Sequence, residues 1–414
     1  KKALKTKKAI YQEKNMIKPK ILIVTEVFYP EEFLINDLAL SLQEKGLEVS
    51  VLTLNPSYPS GKVFKGFKNW LFWKDNYKGI TIYRIRAVTG YRENKYKKLL
   101  RYGNFMLFGC IVSIFIGRKF NYIFGYNLGS LTDMLPAVII RKLYKKPLML
   151  WVQDIWPDSV YAYGVKKYKS VSYLLNHFVG FIYRSASSIG ISSKGFESKI
   201  LAYVNNDLTI HYLPNWSFDL DMDIEAAKLS EVNKVHFTFA GNIGKVQNLE
   251  NIINAFSLMD KEYHHKAQLN IIGDGSNLDN IKKLANNNPH IVFHGRKKIN
   301  DIPKFFKASD FLIISLIDKP VFSVTVPGKT QTYIAAKKPI IAIINGDTAD
   351  IIVDNNLGVY ADPSDIVMIS SVFQQCIEMP NKQKEEFIVN CQKLLKTTFN
   401  KKLIVNQLAD AIIK

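Results

Sequence analysis

Short apolar runs of strand length recur along this chain, and stretches of helix length separate most of them. In the first half the runs predict strands at 20–25, 48–54, 80–86, 121–125, 147–152, 188–192 and 208–213. In the second half they predict strands at 235–240, 267–272, 291–294, 311–316, 340–344 and 358–360. Most are unbroken rather than alternating, as strands covered on both faces by helices should be. Amphipathic segments at 31–45, 172–185, 248–259, 277–286, 300–308 and 329–337 predict the helices between them. Such β-α alternation makes parallel, doubly wound α/β sheets.

The alternation breaks between 214 and 234. Pro214-Asn215-Trp216 ends one unit, and the acidic stretch Asp219–Glu231 carries no strand pattern, which marks a domain boundary. The expected units are a basic tail at 1–17, a first domain at 18–214, a second at 215–395 and a terminal helix at 396–414. A length of 414 residues accommodates two cores, and 47% hydrophobic with 22% charged residues excludes wholesale disorder. Cys110, Cys376 and Cys391 are too few and too widely spaced for a disulfide scaffold or a C-x-x-C pair, so a reduced, cytoplasmic setting is expected. Residues 1–20 are polar and lysine-rich, unlike a secretory leader.

The net charge of +20 is unevenly placed. Residues 1–213 hold 33 Lys+Arg against 14 Asp+Glu, whereas residues 214–414 hold 23 against 22. One lobe is therefore suited to an anionic partner, either nucleic acid or a membrane surface. The segment 95–118 bears on that choice. Lysines and Arg101 precede an apolar stretch from Phe105 to Ile116, and Arg118-Lys119 follows it. The apolar part is shorter than the roughly 20 residues that span a bilayer. It reads either as a helix buried on the sheet or as a helix lying in the membrane plane with snorkelling lysines.

No G-x-G-x-x-G follows the first strand, where Thr25-Glu26-Val27-Phe28-Tyr29-Pro30-Glu31-Glu32 stands, which argues against a dinucleotide oxidoreductase. The P-loop pattern is absent too. Three loops of the second half lie where doubly wound folds bind ligands: Gly241-Asn242-Ile243-Gly244-Lys245, Gly273-Asp274-Gly275 and Pro327-Gly328-Lys329-Thr330. Small residues admit a phosphate to backbone N–H groups, a helix N-terminus adds partial positive charge, and Lys245 and Lys329 add full charges. In the first half, the strand through Trp151 delivers Asp154 to its end, a candidate catalytic position; Asp158 and Ser159 also suit a helix N-cap.

These residues carry a resemblance. Trp151–Ser159, the loop Asn55–Lys62 with Gly66-Phe67, Tyr212–Trp216, Gly241–Gln247 and Pro327–Tyr333 are similar, in order, to segments of bacterial family 4 glycosyltransferases. The subgroup resembled transfers N-acetyl-fucosamine and related sugars in O-antigen or capsule assembly. The resemblance covers about residues 18–395. It implies a GT-B fold: two facing Rossmann-like domains, with the last helix crossing back to the first. It also implies anomeric retention and no metal or other cofactor.

The implied donor site in the second domain comprises Gly241, Asn242, Lys245, Gly273, Asp274, Gly275, Arg296, Pro327, Gly328, Lys329, Thr330, Gln331 and Thr332. The implied acceptor site in the first domain comprises Tyr29, Glu31, Tyr58 and Lys62. Asp154 and His294 are the expected catalytic residues. The chain departs from the family pattern where Val324 and Thr332 replace a glutamate pair. It departs again where Asn242 and Gln247 replace a charged diphosphate clamp, a role that then falls to Lys245, Arg296 and Lys329. His177 and His211 offer no match to the family's catalytic histidine.

The expected partners are a nucleotide-sugar donor, UDP-linked and N-acetylated, a polyprenyl-diphosphate-linked sugar acceptor and an anionic membrane surface, with no nucleic acid. The expected location is the inner face of the plasma membrane. Two rival readings stand beside this one. A nucleic-acid-binding protein would use the basic lobe, but no nucleic-acid motif appears. A GT-B sugar-nucleotide epimerase would leave segment 95–118 without a role.

Overall fold

The computed structural model describes residues 18–413 except 92–94, 163–164, 206, 219 and 230–232; the expected tail at 1–17 lies outside the described residues. Two sheets organise the chain. Strands β1 (Lys20–Val24), β2 (Glu48–Leu54), β3 (Phe72–Tyr77), β4 (Ile80–Ile85), β5 (Tyr122–Asn127), β6 (Leu148–Val152), β7 (Ser188–Ile191) and β8 (Thr209–Tyr212) form the first. Its order is β3-β4-β2-β1-β5-β6-β7-β8. Strands β9 (Val235–Ala240), β10 (Ala267–Ile272), β11 (Ile291–Gly295), β12 (Phe311–Ser315), β13 (Ile340–Ile343) and β14 (Gly358–Tyr360) form the second, in the order β11-β10-β9-β12-β13-β14. Each sheet winds outward in both directions from its first strand. The crevice for a ligand is therefore expected past β1 and β5 in one sheet and past β9 and β12 in the other.

The apolar runs become strands because both faces are covered. In the first sheet, Leu22, Leu52 and Leu150 pack under helices on one side, while Ile23, Val51 and Met149 pack under helices on the other. β3 is the exception. It pairs antiparallel with β4, and its residues alternate between exposed and half-buried. It has no continuous apolar run, so periodicity gave no sign of it. The positive φ of Lys78 and Gly79 closes the hairpin.

The chain ends by returning to its start. After helix Asn381–Lys396 on the second domain, helix Lys401–Ile413 buries Ile404, Val405, Leu408 and Ile412 against Ile21, Leu38 and Trp151 of the first. Burying each such side chain contributes about 1.5–3 kcal/mol. Lys401 pairs with Asp37 at 2.7 Å, and Trp216 Nε1 donates to the same carboxylate at 2.8 Å. The linker after β8 and the terminal helix are thus pinned at one point.

Helix Lys95–Ile116 is neither wholly core nor wholly surface. Arg101, Phe105, Ser113 and Ile116 form a buried seam at helical spacing. Gly109 allows close packing: a Cβ there would lie 2.7 Å from Pro136 Cγ. The rest of the surface leaves Leu99, Leu100, Leu107, Ile111, Ile114 and Phe115 exposed. Only 33% of its most apolar window is buried, so the buried-core reading holds for one seam alone.

Candidate active site

At the second-domain crevice the loops after β9 and β10 press backbone against backbone. Gly241 and Gly273 adopt φ of +145° and +143°, and a Cβ on Gly273 would fall 1.8 Å from Gly241 O. A Cβ on Gly275 would fall 2.3 Å from Ile243 O. These glycines are required by loop packing itself. Asp274 Oδ1 accepts from Gly275 N–H at 2.8 Å and holds the turn. Asn242 and Lys245 are exposed.

Pro327 opens helix Gly328–Ala335 without a side-chain cap. From its first turn, Lys329 reaches back over the Gly241 loop. Its Nζ lies 3.7 Å from the Phe239 ring centroid, and a Cβ on Gly241 would meet Nζ at 2.6 Å. Burial alone pushes this amine down to about 7. Among the described residues no carboxylate pairs with it. Thr330 Oγ1 and both amide atoms of Gln331 are buried without hydrogen-bond partners, whereas Thr332 Oγ1 donates to Gly328 O at 3.0 Å. An amine beside a positive-φ glycine loop and an uncapped helix start is suited to a phosphate.

The other two expected residues of this domain sit apart from Lys329. Arg296 is exposed past β11, two strands from the β9/β12 crevice. His294 lies on the sheet face: its Nε2 bonds Asn270 Oδ1 at 2.8 Å and its ring packs on Phe305 at 5.1 Å. Burial and nearby Lys297 lower its proton affinity, so it is held as a neutral network member rather than a cleft acid. Val324, one of the positions where a family glutamate is missing, packs at the boundary between domains, against Gly195.

In the first domain, Glu31 is buried and its Oε1 accepts from the N–H groups of Ser57 and Tyr58, both at 2.7 Å. It fastens the loop after β2 to the loop after β1. Desolvation nevertheless raises its proton affinity. Tyr29 stacks on Tyr77 with centroids 3.8 Å apart, and its carbonyl accepts from buried Arg84 at 2.7 Å. Lys62 is exposed on the same loop as Tyr58. Asp154 follows β6, with a carboxyl raised to about 6 by burial and held by Ser159 and the Ile155 N–H. That is the geometry of a group holding the 155–159 turn.

Tyr58 does line a cavity of about 560 Å³ at the first-domain crevice. Glu26, just past β1, and Asp133, just past β5, meet Arg101 of helix Lys95–Ile116 in its wall. Arg101 Nε and Glu26 Oε1 are 2.5 Å apart. In the sequence Arg101 stood only in the basic flank of segment 95–118, and neither carboxylate was singled out. A signal existed: each carboxylate stands just beyond one of the two strands that flank the crevice. Among the described residues, no three His, Cys, Asp or Glu side chains gather as a metal site.

Residues 221–393 match the family described as Glycosyl transferases group 1. The chain is 28% identical over 243 residues to a probable glycosyltransferase, WbjE, of Pseudomonas aeruginosa; the match covers 56% of this chain and 60% of that one. It is 23% identical to the putative colanic acid biosynthesis glycosyl transferase WcaI of Escherichia coli K12, over 65% of this chain and 69% of that protein. Among solved structures it is similar to Anabaena HepE in complex with UDP and glucose, with a TM-score of 0.65, 14% identity and coverage of 95% and 99%. That likeness shows the fold: GT-B, with two Rossmann-like domains. Neither the epimerase nor the nucleic-acid reading finds support among these relatives.

Proposed function

We propose that this protein is a retaining glycosyltransferase of cell-surface polysaccharide synthesis. It moves a sugar, N-acetylated and UDP-linked, to a polyprenyl-diphosphate-linked sugar acceptor at the inner face of the plasma membrane, without a metal. The observation that carries this reading is Lys329, a desolvated amine with no carboxylate partner among the described residues, set over the Gly241 loop in the domain that matches glycosyl transferases. A leaving diphosphate provides the negative charge that this amine lacks, and the charge grows as the bond to C1 of the sugar breaks. The UDP in HepE and the polysaccharide pathway of WcaI support the donor and product classes.

The membrane part of the reading rests on the first domain. Helices Lys95–Ile116 and Lys169–Arg184 both pack on segment 131–144. They expose Leu99, Leu100, Phe115, Tyr173 and Leu174, with Lys166, Lys167 and Lys169 beside them. Apolar side chains flanked by lysines and tyrosines suit the interface of an anionic bilayer. The test is a ligand screen: UDP, GDP and their sugar conjugates are scored by the rise in Tm, since a native-state ligand stabilises by mass action. A UDP-sugar raising Tm, and losing that effect in Lys329→Ala, supports the proposal. No stabilisation by any nucleotide would overturn it.

A further inference from the structure

Trp70, Leu71 and Phe72 are 58%, 53% and 42% exposed where the chain enters the edge strand β3. Neither domain's candidate site uses them. Single exposed apolar side chains are ordinary, but a contiguous apolar tip rimmed by charge marks an interaction surface. Hydrogen bonds place the tip beside helix Lys95–Ile116. The Arg86 N–H donates to Leu71 O at 3.1 Å, and Asn104 Nδ2 donates to Arg86 O at 2.7 Å. Asn104 stands between Leu100 and Leu107 at helical spacing, so the three share one face, and Ile111 continues it. Leu100, Leu107 and Ile111 are exposed. The tip is therefore continuous with the open apolar stripe of the helix.

Resting on the membrane part of the proposed function, we propose that residues 68–72 are a second membrane anchor, seated in the interface of an anionic bilayer beside helix Lys95–Ile116. The charge around the tip selects this partner. Residues 62–74 hold four lysines and no Asp or Glu. Lys62, Lys65, Lys68 and Lys74 are all exposed, and so is Arg86. Lys68 Nζ lies 4.3 Å from the Trp70 ring centroid. The acid that follows, Asp75, is already paired with buried Arg84 at 2.8 Å. Protein interfaces are poor in lysine, whereas tryptophan with a lysine rim suits lipid headgroups of negative charge.

The depth of the anchor follows from its backbone. β3 pairs on one side only, with β4, and a strand edge left open cannot enter hydrocarbon. The tip therefore rests at the headgroups, where an indole ring settles. A second point of attachment also fixes orientation. A helix lying alone on a bilayer leaves the protein free to roll about the helix axis, and a contact off that axis stops the roll. Chain leaving Arg86 turns back to the helix, where the Tyr91 ring lies against the Arg101 guanidinium at 4.3 Å. Tyr91 and Lys98 line the 560 Å³ cavity. Attachment at both points holds the mouth of that cavity at the lipid surface, where a lipid-linked acceptor presents its sugar.

Tryptophan emission reads the anchor directly, because Trp70 alone among the tryptophans is largely exposed. The full chain is mixed with vesicles of equal parts phosphatidylglycerol and phosphatidylcholine, with and without bromine on the upper acyl chain. Emission should shift to the blue and be quenched by the brominated lipid. Trp70→Phe should lose both signals and keep its partition within a few fold, since it stays apolar. Trp70→Ser with Leu71→Ser should lower the partition coefficient by about tenfold or more. Partition of the wild type without shift or quenching would overturn the second anchor and leave the helix face standing. No partition of the wild type at all would refute the membrane reading together with the anchor. A dimer seen by sedimentation without lipid, and lost in Trp70→Ser, would assign the tip to a second copy of the chain and overturn the inference. Trp70→Phe differs by one aromatic ring, so the quenching arm decides even where the double serine variant fails to fold.

Discussion

Ser193 and Asp347 meet across the boundary between the two domains: Ser193 Oγ donates to Asp347 Oδ2 at 2.5 Å. The same oxygen accepts from the Gly195 N–H at 2.6 Å. Ser193 follows β7 of the first sheet, and Asp347 opens the helix after β13 of the second. One carboxylate therefore latches the two halves. Asp347→Ala should leave the Gly195 N–H and the Ser193 hydroxyl without this acceptor. A stability loss of about 1–3 kcal/mol is expected, with a larger radius of gyration in solution scattering. Unchanged stability and an unchanged scattering profile would mean that other contacts fix the domains.

Under the proposed function, Lys329 gives the donor site a pH signature. Its proton affinity is depressed in the free protein, to about 7, so part of the population is neutral at physiological pH. A bound diphosphate favours the ammonium and raises that value. Binding then takes up a proton between the free and bound values, and UDP affinity should weaken as pH rises above about 7, by at most tenfold per pH unit for one linked proton. Calorimetry in buffers of different ionisation enthalpy measures the uptake. Lys329→Met should abolish both uptake and slope. Uptake that persists in that variant would place the proton elsewhere.

Asp154 separates a turn role from a chemical one. Its folded value of about 6 is above the ordinary 3.8 of an aspartate, so its contribution to stability is fully present below that ordinary value and is lost as pH rises through about 6. Asp154→Asn does not ionise. Its stability relative to the wild type should rise between pH 4 and 7, by at most about 3 kcal/mol for a shift of this size. Transfer should stay within a few fold of wild type if the carboxyl serves the 155–159 turn. A fall of about 10²-fold with an intact fold would restore Asp154 to the chemistry.

The exposed apolar face should matter to membranes and little to folding. Leu99→Ser with Phe115→Ser should lower partition into vesicles of anionic lipid and leave Tm within about 1 kcal/mol equivalent, as exposed substitutions do. Lys166→Gln, Lys167→Gln and Lys169→Gln together should reduce the salt sensitivity of binding, because exposed charges are screened over about 10 Å at 0.1 M. Equal, salt-insensitive binding of all variants would exclude this face.

The amino-acid sequence by itself determined the two doubly wound sheets, because an unbroken apolar run can be satisfied only by cover on both faces. Loops ending at Gly241, Gly273 and Lys329 were legible for the same reason, since each closes a strand or opens a helix. β3 was not, because a half-exposed hairpin strand such as Phe72–Tyr77 buries too little to need a run. The roles of single side chains were decided by tertiary structure. Glu31, expected at an acceptor, also anchors the N–H groups of Ser57 and Tyr58; Arg101, legible in the sequence only as part of the basic flank of 95–118, closes a buried ion pair. Glu26, Arg101 and Asp133 are far apart in the chain, and only the placement of β5 beside β1 brings them together. Periodicity records what an element must bury. Which two loops open into one crevice follows from strand order, and strand order is written in no local stretch of residues.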